Sequence, residues 1–291
     1  MRKVSLVLIG IFFFQNFVSG QAVKLYELKN DNTFDRVNLT FKSGNSNTNV
    51  FPAINSGLNI YGKSGSETID PVNSRLINRT HHIIVNEASD TRSNSRSITD
   101  LFFGDDNDNN FDLQLPADKP LQLNLTYAVG DAHVDLSDLA IEKLKINTGS
   151  ADVFVTYTEG HNNLIEMDTF FVEVDMGSLT IDKMDLSRAQ KVIADIGFGE
   201  LTLTYTNEIK STSHIQASIA AGNLLIQIPT NEIPVRISIH DSPLCQVKIP
   251  KSFNKIQNDT FVSPGYNSNS EEILDFDLNV GLGRIKFQSG E

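Results

Sequence analysis

The 291-residue chain carries 36 acidic against 24 basic residues, a net charge of −12, with a single cysteine and no tryptophan. That balance argues against nucleic acid and anionic lipid as direct partners, since both repel an acidic surface. The lone Cys245 excludes an intramolecular disulfide framework, and its run Leu244-Cys245-Gln246-Val247, beside strand-like residues, points to a buried inert thiol.

In chain order, the first element is a leader. Arg2 and Lys3 precede an apolar stretch from Val4 to Val18, and Val18-Ser19-Gly20 supplies small residues before Gln21. This reads as a signal peptide over residues 1–20, cleaved after Gly20, which places the protein outside the cytoplasm: periplasm, cell surface or secreted. The stretch is short for a bilayer span and is interrupted by Gln15 and Asn16, and no later segment is apolar enough to span. No cysteine stands at the cleavage site to take a lipid. Secretion without disulfides suggests a bacterial envelope, where the sequons at Asn38, Asn78, Asn124 and Asn258 are chance matches.

Residues 21–115 form a smaller β-rich region. Val37–Phe41, Leu58–Tyr61 and His82–Val85 are strand-like, separated by turns such as Gly44–Asn47, and residues 86–99 form a polar loop. Asp105–Asn110 offers oxygen atoms to calcium, but the calcium-loop pattern needs glycine sixth and an acid twelfth, where Asn110 and Pro116 stand. It reads as a solvated loop.

Residues 116–291 repeat one device. An alternating apolar run breaks at a glycine and resumes on the opposite parity: Tyr127 to Ala132 around Gly130, Ile146 to Ala151 around Gly149, Ile196 to Leu201 around Gly199, Ile219 to Leu224 around Gly222, Val280 to Ile285 around Gly283. Met176-Gly177-Leu179 looks like a shorter variant. Because strand side chains alternate between faces, the flip keeps one apolar face on the core only if the chain turns at each glycine. Bulky residues before the glycine resist the double positive φ of a type I′ hairpin, whereas type II needs it only at the glycine. Positive φ is therefore expected at Gly149, Gly199, Gly222 and Gly283. The core is expected to hold Ala132, Val134, Val153, Val155, Leu201, Leu203, Leu224, Ile226, Ile285 and Phe287. Corner glycines 19 to 28 residues apart, from Gly130 to Gly222, suit the coils of a solenoid. The fold class is thus all-β, a single-stranded β-helix or solenoid-like domain; ordinary hairpins in a sandwich are the alternative. Helical periodicity is nearly absent, with one possible turn in Leu136–Leu144. Between Gly222 and Gly283, an insertion around Ser252–Glu271 is expected, after which the last strand pair closes one end of the core.

No residue is assigned a catalytic, cofactor-binding or metal role. His81 and His82 point to opposite faces of one strand, and His133, His161, His214 and His240 lack ligand spacing. Serine, histidine and aspartate occur without a nucleophile elbow, and neither Gly197-Phe198-Gly199 nor Gly281-Leu282-Gly283 opens a helix. The outward acids Asp131, Asp135, Asp152, Glu173, Asp175 and Glu200 could line a catalytic coil face, but such carboxylates usually only solvate it. Outward Thr202, Thr204 and Thr206 could meet glycan or ice; threonine is also simply a favoured strand residue.

Three segments resemble a known family: Gly222–Pro229 (GNLLIQIP), Gly130–Ala151 with Asp152 and Val153 after it, and Tyr266–Phe287 ending DFDLNVGLGRIKF. Over about residues 118–289 the chain resembles the bacterial extracytoplasmic toastrack domain, as in the C-terminal domain of LiaF-type cell-wall-stress regulators and the related "putative adhesin" β-helix proteins. The resemblance implies a non-enzymatic envelope β-helix used for structure or protein contact. LiaF-type proteins place transmembrane helices ahead of this domain; here a signal peptide and a further β region stand instead. The reading is a non-catalytic secreted envelope module presenting a β surface to an envelope protein or glycan, linked to envelope stress or adhesion, without cofactor. The alternative is a carbohydrate-active enzyme, a polysaccharide lyase or hydrolase, on the same β-helix.

Overall fold

The computed structural model describes residues 22–54, 57–63, 72–87, 109–206, 209, 211–230, 232–241, 244–257, 259–270 and 272–289. The leader, most of the polar loop and Asp105–Asp108 lie outside the described residues. Among the described residues every element but one short 3-10 turn is a strand, arranged in a twelve-stranded sheet (sheet I) and an eleven-stranded sheet (sheet II).

The unit is a coil: one strand in sheet I, a corner, one strand in sheet II. Six follow the device read from the sequence. They are Leu121–Val129 with Asp131–Asp135, Ile141–Thr148 with Asp152–Thr156, Met167–Val174 with Ser178–Ile181, Ala189–Ile196 with Glu200–Thr204, Ser213–Ile219 with Asn223–Ile228, and Leu274–Val280 with Arg284–Ser289. Neighbouring coils pair in parallel in both sheets. Parallel neighbours joined through a second sheet define a β-helix, and hairpins in a sandwich are excluded. All ten expected core residues are buried, none above 4% exposed.

The device is more regular than its sequence. The core-facing pair spanning the corner is Tyr127/Ala132, Thr148/Val153, Val174/Leu179, Ile196/Leu201, Ile219/Leu224 and Val280/Ile285, with the same spacing in every coil. The sequence pattern phased the second coil two residues early, on Ile146 and Ala151, because a buried threonine, Thr148, holds the core position. Correct phasing also removes the apparent short variant at Met176–Leu179.

The corner glycines serve a different purpose from the one expected. Among the described glycines positive φ occurs at Gly57, Gly130 and Gly160, and not at Gly149, Gly199, Gly222 or Gly283. What demands glycine is the coil beneath. An added Cβ at Gly177 would overlap the Ala151 carbonyl oxygen, at Gly199 that of Gly177, at Gly222 that of Gly199, and at Gly283 that of Gly222. Those carbonyls are fixed because each accepts an N–H from the next coil: Glu200 N donates to Gly177 O (3.0 Å), Asn223 N to Gly199 O (2.9 Å) and Arg284 N to Gly222 O (3.0 Å). The sheet ladder therefore continues around the corner, and a column of glycines leaves room for it. Gly149 belongs to the neighbouring column, where an added Cβ would stand 2.8 Å from Ala128 O.

At both ends the spatial order of coils departs from chain order. Leu274–Val280 pairs on one side with Ser213–Ile219 and on the other with Val235–Asp241. Arg284–Ser289 likewise lies between Asn223–Ile228 and Gln246–Lys248. The final strand pair is thus inserted one coil from the end. It does not close the end, as the sequence suggested. The expected insertion holds the hairpin Asn254–Gln257 and Thr260–Val262, which pairs antiparallel on the outer side of Val235–Asp241. The other end mirrors this. Arg36–Asn45 and Asn47–Pro52 stack on the Leu121–Asp135 coil, while the later strands Thr80–Asn86 and Asn110–Leu115 lie outside them. Antiparallel strands then cover the edges: Asn73–Ile77 in sheet I, Gly57–Lys63 and Val23–Lys29 in sheet II. Strands on both sides of residue 116 therefore share both sheets.

The second turn of each coil, from sheet II back to sheet I, is held by polar side chains. Asn163 is wholly buried; its amide donates to Ile141 O and Ile165 O and accepts from Ile141 N, all at 2.8 Å. Ser137 bonds Asp135 through both N and Oγ. The one 3-10 turn among the described residues, Met184–Ser187, lies here and not in Leu136–Leu144.

Candidate functional surface

Outward side chains of sheet II form rows across the coils, because parallel register aligns equivalent positions. The row next to the glycine corner runs Asp131, Asp152, Ser178, Glu200, Asn223, Arg284, Gln246. Within this row the acids Asp131, Asp152 and Glu200 stand at most one per coil, roughly 4.8 Å or more apart along the axis. Asp152 accepts from Ser178 Oγ at 2.6 Å, Asp135 is held by Ser137, and Glu173 lies on sheet I, 3.7 Å from Lys145 Nζ. Asp175 sits at a corner. Of these acids Glu173 has a cationic partner, while Asp152 and Asp135 are held by serine hydrogen bonds.

The next row runs Asn49, His133, Phe154, Thr180, Thr202, Leu225, Lys286, Lys248. At its start the face is hollowed. Val50, Phe51, His133, Val134 and Phe154 line an open groove of about 340 Å³, with Asn49, Asp135 and Thr156 at its margin. His133 packs edge-on to Phe154, ring centroids 6.3 Å apart. Phe154 is 40% exposed although it is a large aromatic. A second concavity of about 360 Å³ lies at the Val23–Lys29 edge, but it is lined mainly by Lys24, Glu27, Lys29, Asn59 and Gln114. The Phe154 groove has the better chemistry for holding a ligand: flat apolar rings beside an amide, a carboxylate and a hydroxyl.

The histidines are dispersed. His81 meets the Tyr26 hydroxyl (3.0 Å) and the edge of Phe34, and partial burial lowers its pKa. His161 pairs with Asp138, His214 with Asp275, and His240 with Asp277. Among the described residues no three metal-binding side chains gather. Thr204 and Thr206 are not a free polar row: Thr204 Oγ1 donates to Asp182 and accepts from Lys183 N, and Thr206 N donates to Asp185. They brace a turn. Cys245, expected to be buried, is only half-buried, because it sits at the end of the glycine column beside the outermost strand of sheet II.

Residues 72–182 match the family described as the N-terminal domain of toast_rack, DUF2154. That stretch is similar to a toastrack domain, and the match begins well ahead of residue 118, inside the N-terminal strands. Solved structures show a weaker likeness. A "putative cell adhesion protein" from Clostridium sporogenes is 11% identical with a TM-score of 0.46, covering 92% of this chain and 100% of its own. A "putative adhesin" from Bacteroides fragilis is 14% identical with a TM-score of 0.34, covering 93% and 98%. Another from Parabacteroides distasonis is 11% identical, TM-score 0.33, covering 93% and 98%. At that distance nothing about binding transfers. No curated protein matches the chain. Among the described residues no helix is long and apolar enough to cross a membrane.

Proposed function

We propose that this chain is a non-catalytic module of the cell envelope, exported by its leader, that presents sheet II to a glycan. The two β regions on either side of residue 116 act as one rigid body in this reading. The observation that carries it is the Phe51–His133–Phe154 groove: the exposed rings of His133 and Phe154 beside half-buried Phe51 on a parallel sheet, rimmed by Asn49, Asp135 and Thr156. Sugar rings stack their C–H faces on aromatics while their hydroxyls take hydrogen bonds from the margin. A preformed site of this kind needs little reorganisation on binding.

Titration of the processed chain with chitohexaose and with soluble peptidoglycan fragments, followed by calorimetry, tests this. Binding that falls at least fivefold in Phe154→Ala and in Phe51→Ala is expected. Equal affinity in both variants would overturn the groove, and appearance of shortened sugars would move the reading to the enzyme alternative. N-terminal sequencing of the exported protein should begin at or near Gln21.

A further inference from the structure

The residue just before each member of the glycine column occupies the tip of the corner. In spatial order these tips are Val129, Ser150, Met176, Phe198, Ala221, Leu282 and Leu244. Turn tips normally carry small or polar residues. Here Met176 is 68% exposed, Phe198 74%, Leu282 59% and Leu244 72%. Strand spacing sets five consecutive tips, Met176 to Leu244, in a continuous apolar ridge about 19 Å long. The corner itself does not ask for them, since Ser150 and Ala221 occupy the same place. Large apolar side chains held in water at repeated, stackable positions mark a contact surface.

The flanks of the ridge say what covers it. On the sheet I side lie Asp175, Gly197, Ala220 and Gly281, aligned coil to coil; past the exposed Asp175 at the Met176 end, two glycines and an alanine leave the backbone open to close approach. On the sheet II side lie Ser178, Glu200, Asn223, Arg284 and Gln246. We propose that the ridge binds a second copy of this chain, antiparallel, with Ala221 on the two-fold axis. Reversal about that point sets Phe198 against Leu282 and Met176 against Leu244. The same operation sets Glu200 against Arg284, Ser178 against Gln246, and Asn223 against its own copy. Gly197 then faces Gly281. Charge complementarity thus falls out of a register chosen only by centring the ridge. A shift of one coil loses the Glu200–Arg284 pairing, and a parallel arrangement sets the sheet II flank against the sheet I flank, leaving Glu200 and Arg284 opposite glycine and alanine. Arg284 Nε is already oriented by Gln246 Oε1 at 3.2 Å.

A strip of this length is narrower than the roughly 800 Å² per partner of a standard stable interface, so the dimer is reversible and concentration-dependent. Its two-fold axis leaves both sheet II faces on the same side, so two copies would engage one polymer together. Cross-linking reads a reversible dimer directly. In a Cys245→Ser background, Ala221→Cys places one thiol of each copy at the axis, and mild oxidation should give a covalent dimer within minutes. Adding Phe198→Asp should cut the yield at least tenfold. Glu200→Arg and Arg284→Glu should each lower it severalfold, and the two together should restore it. Circular dichroism checks that each variant folds. The proposal is overturned if Ala221→Cys gives no dimer, if Phe198→Asp leaves the yield unchanged, or if the charge-swapped double variant is no better than the singles. Association of the ridge with neutral phosphatidylcholine vesicles in place of self-association would overturn it as well.

Discussion

At the scale of single residues, backbone proximity and buried hydroxyls decide more than turn preference. Gly222→Ala puts a methyl group into the Gly199 carbonyl, and the sheet ladder holds that carbonyl in place. Relief requires the coils to part, so a loss of about 2 kcal/mol or more is expected in urea unfolding. A loss near zero would show that the corner yields. Thr148 poses the opposite case. Its hydroxyl is buried without a hydrogen-bond partner, at a position where other coils carry Val174, Ile196 or Ile219. An unsatisfied buried hydroxyl costs about 1–3 kcal/mol, while valine has nearly the same shape. Thr148→Val should therefore raise the urea midpoint, by about 1 kcal/mol in stability. A lowered midpoint would reveal a partner for that hydroxyl.

Between elements, register aligns charges that are far apart in sequence. Asp275 receives Arg236 through Nε at 2.8 Å and Nη2 at 2.5 Å, with His214 Nδ1 at 3.2 Å on its other side. Burial alone would raise its pKa, but the Arg236 hydrogen bonds and charge, helped by His214, outweigh that and hold it below the ordinary 3.8. A depressed carboxylate stabilises the fold above its unfolded pKa, and that contribution disappears as pH falls through the folded value. Asp275→Asn should thus cost about 1 kcal/mol at pH 7, discounted for the partial exposure of Arg236. The gap to wild type should narrow below pH 3.8 and close in stronger acid; a pH-independent gap would mean lost packing instead. The same register explains what the sequence revealed. Corners filled by Ile, Leu and Val were legible as parity flips, since burial selected those residues directly. The coil at Ser43 and Thr48 was not, because its buried positions are polar and the apolar alternation vanishes there. The groove was invisible as well: Phe51, His133 and Phe154 come together only through the pairing of three strands, and each reads singly as an ordinary strand residue.

For the whole molecule, the exchanged order of coils at each end has a physical consequence. A solenoid whose last strand lay outermost could fray from its terminus, one coil at a time. Here Leu274–Val280 is bonded on both sides, by Ser213–Ile219 and by Val235–Asp241, and the outermost strands come from earlier in the chain. Periodicity of side chains records which face is buried but not which strand is the neighbour, so this arrangement cannot be read from alternation alone. It reverses the usual expectation for a chain end. Native-state amide exchange rates follow the free energy of local opening. The amides of Leu274–Val280 should therefore exchange among the slowest in the C-terminal third, while Gln246–Lys248 and the hairpin Asn254–Gln257, which occupy the free edges, exchange first. Mass spectrometry of peptic fragments after deuteration resolves the two segments. If residues 274–280 label as fast as 254–257, the inserted strand opens with the edge, and the exchanged order does not lock the end of the coil stack.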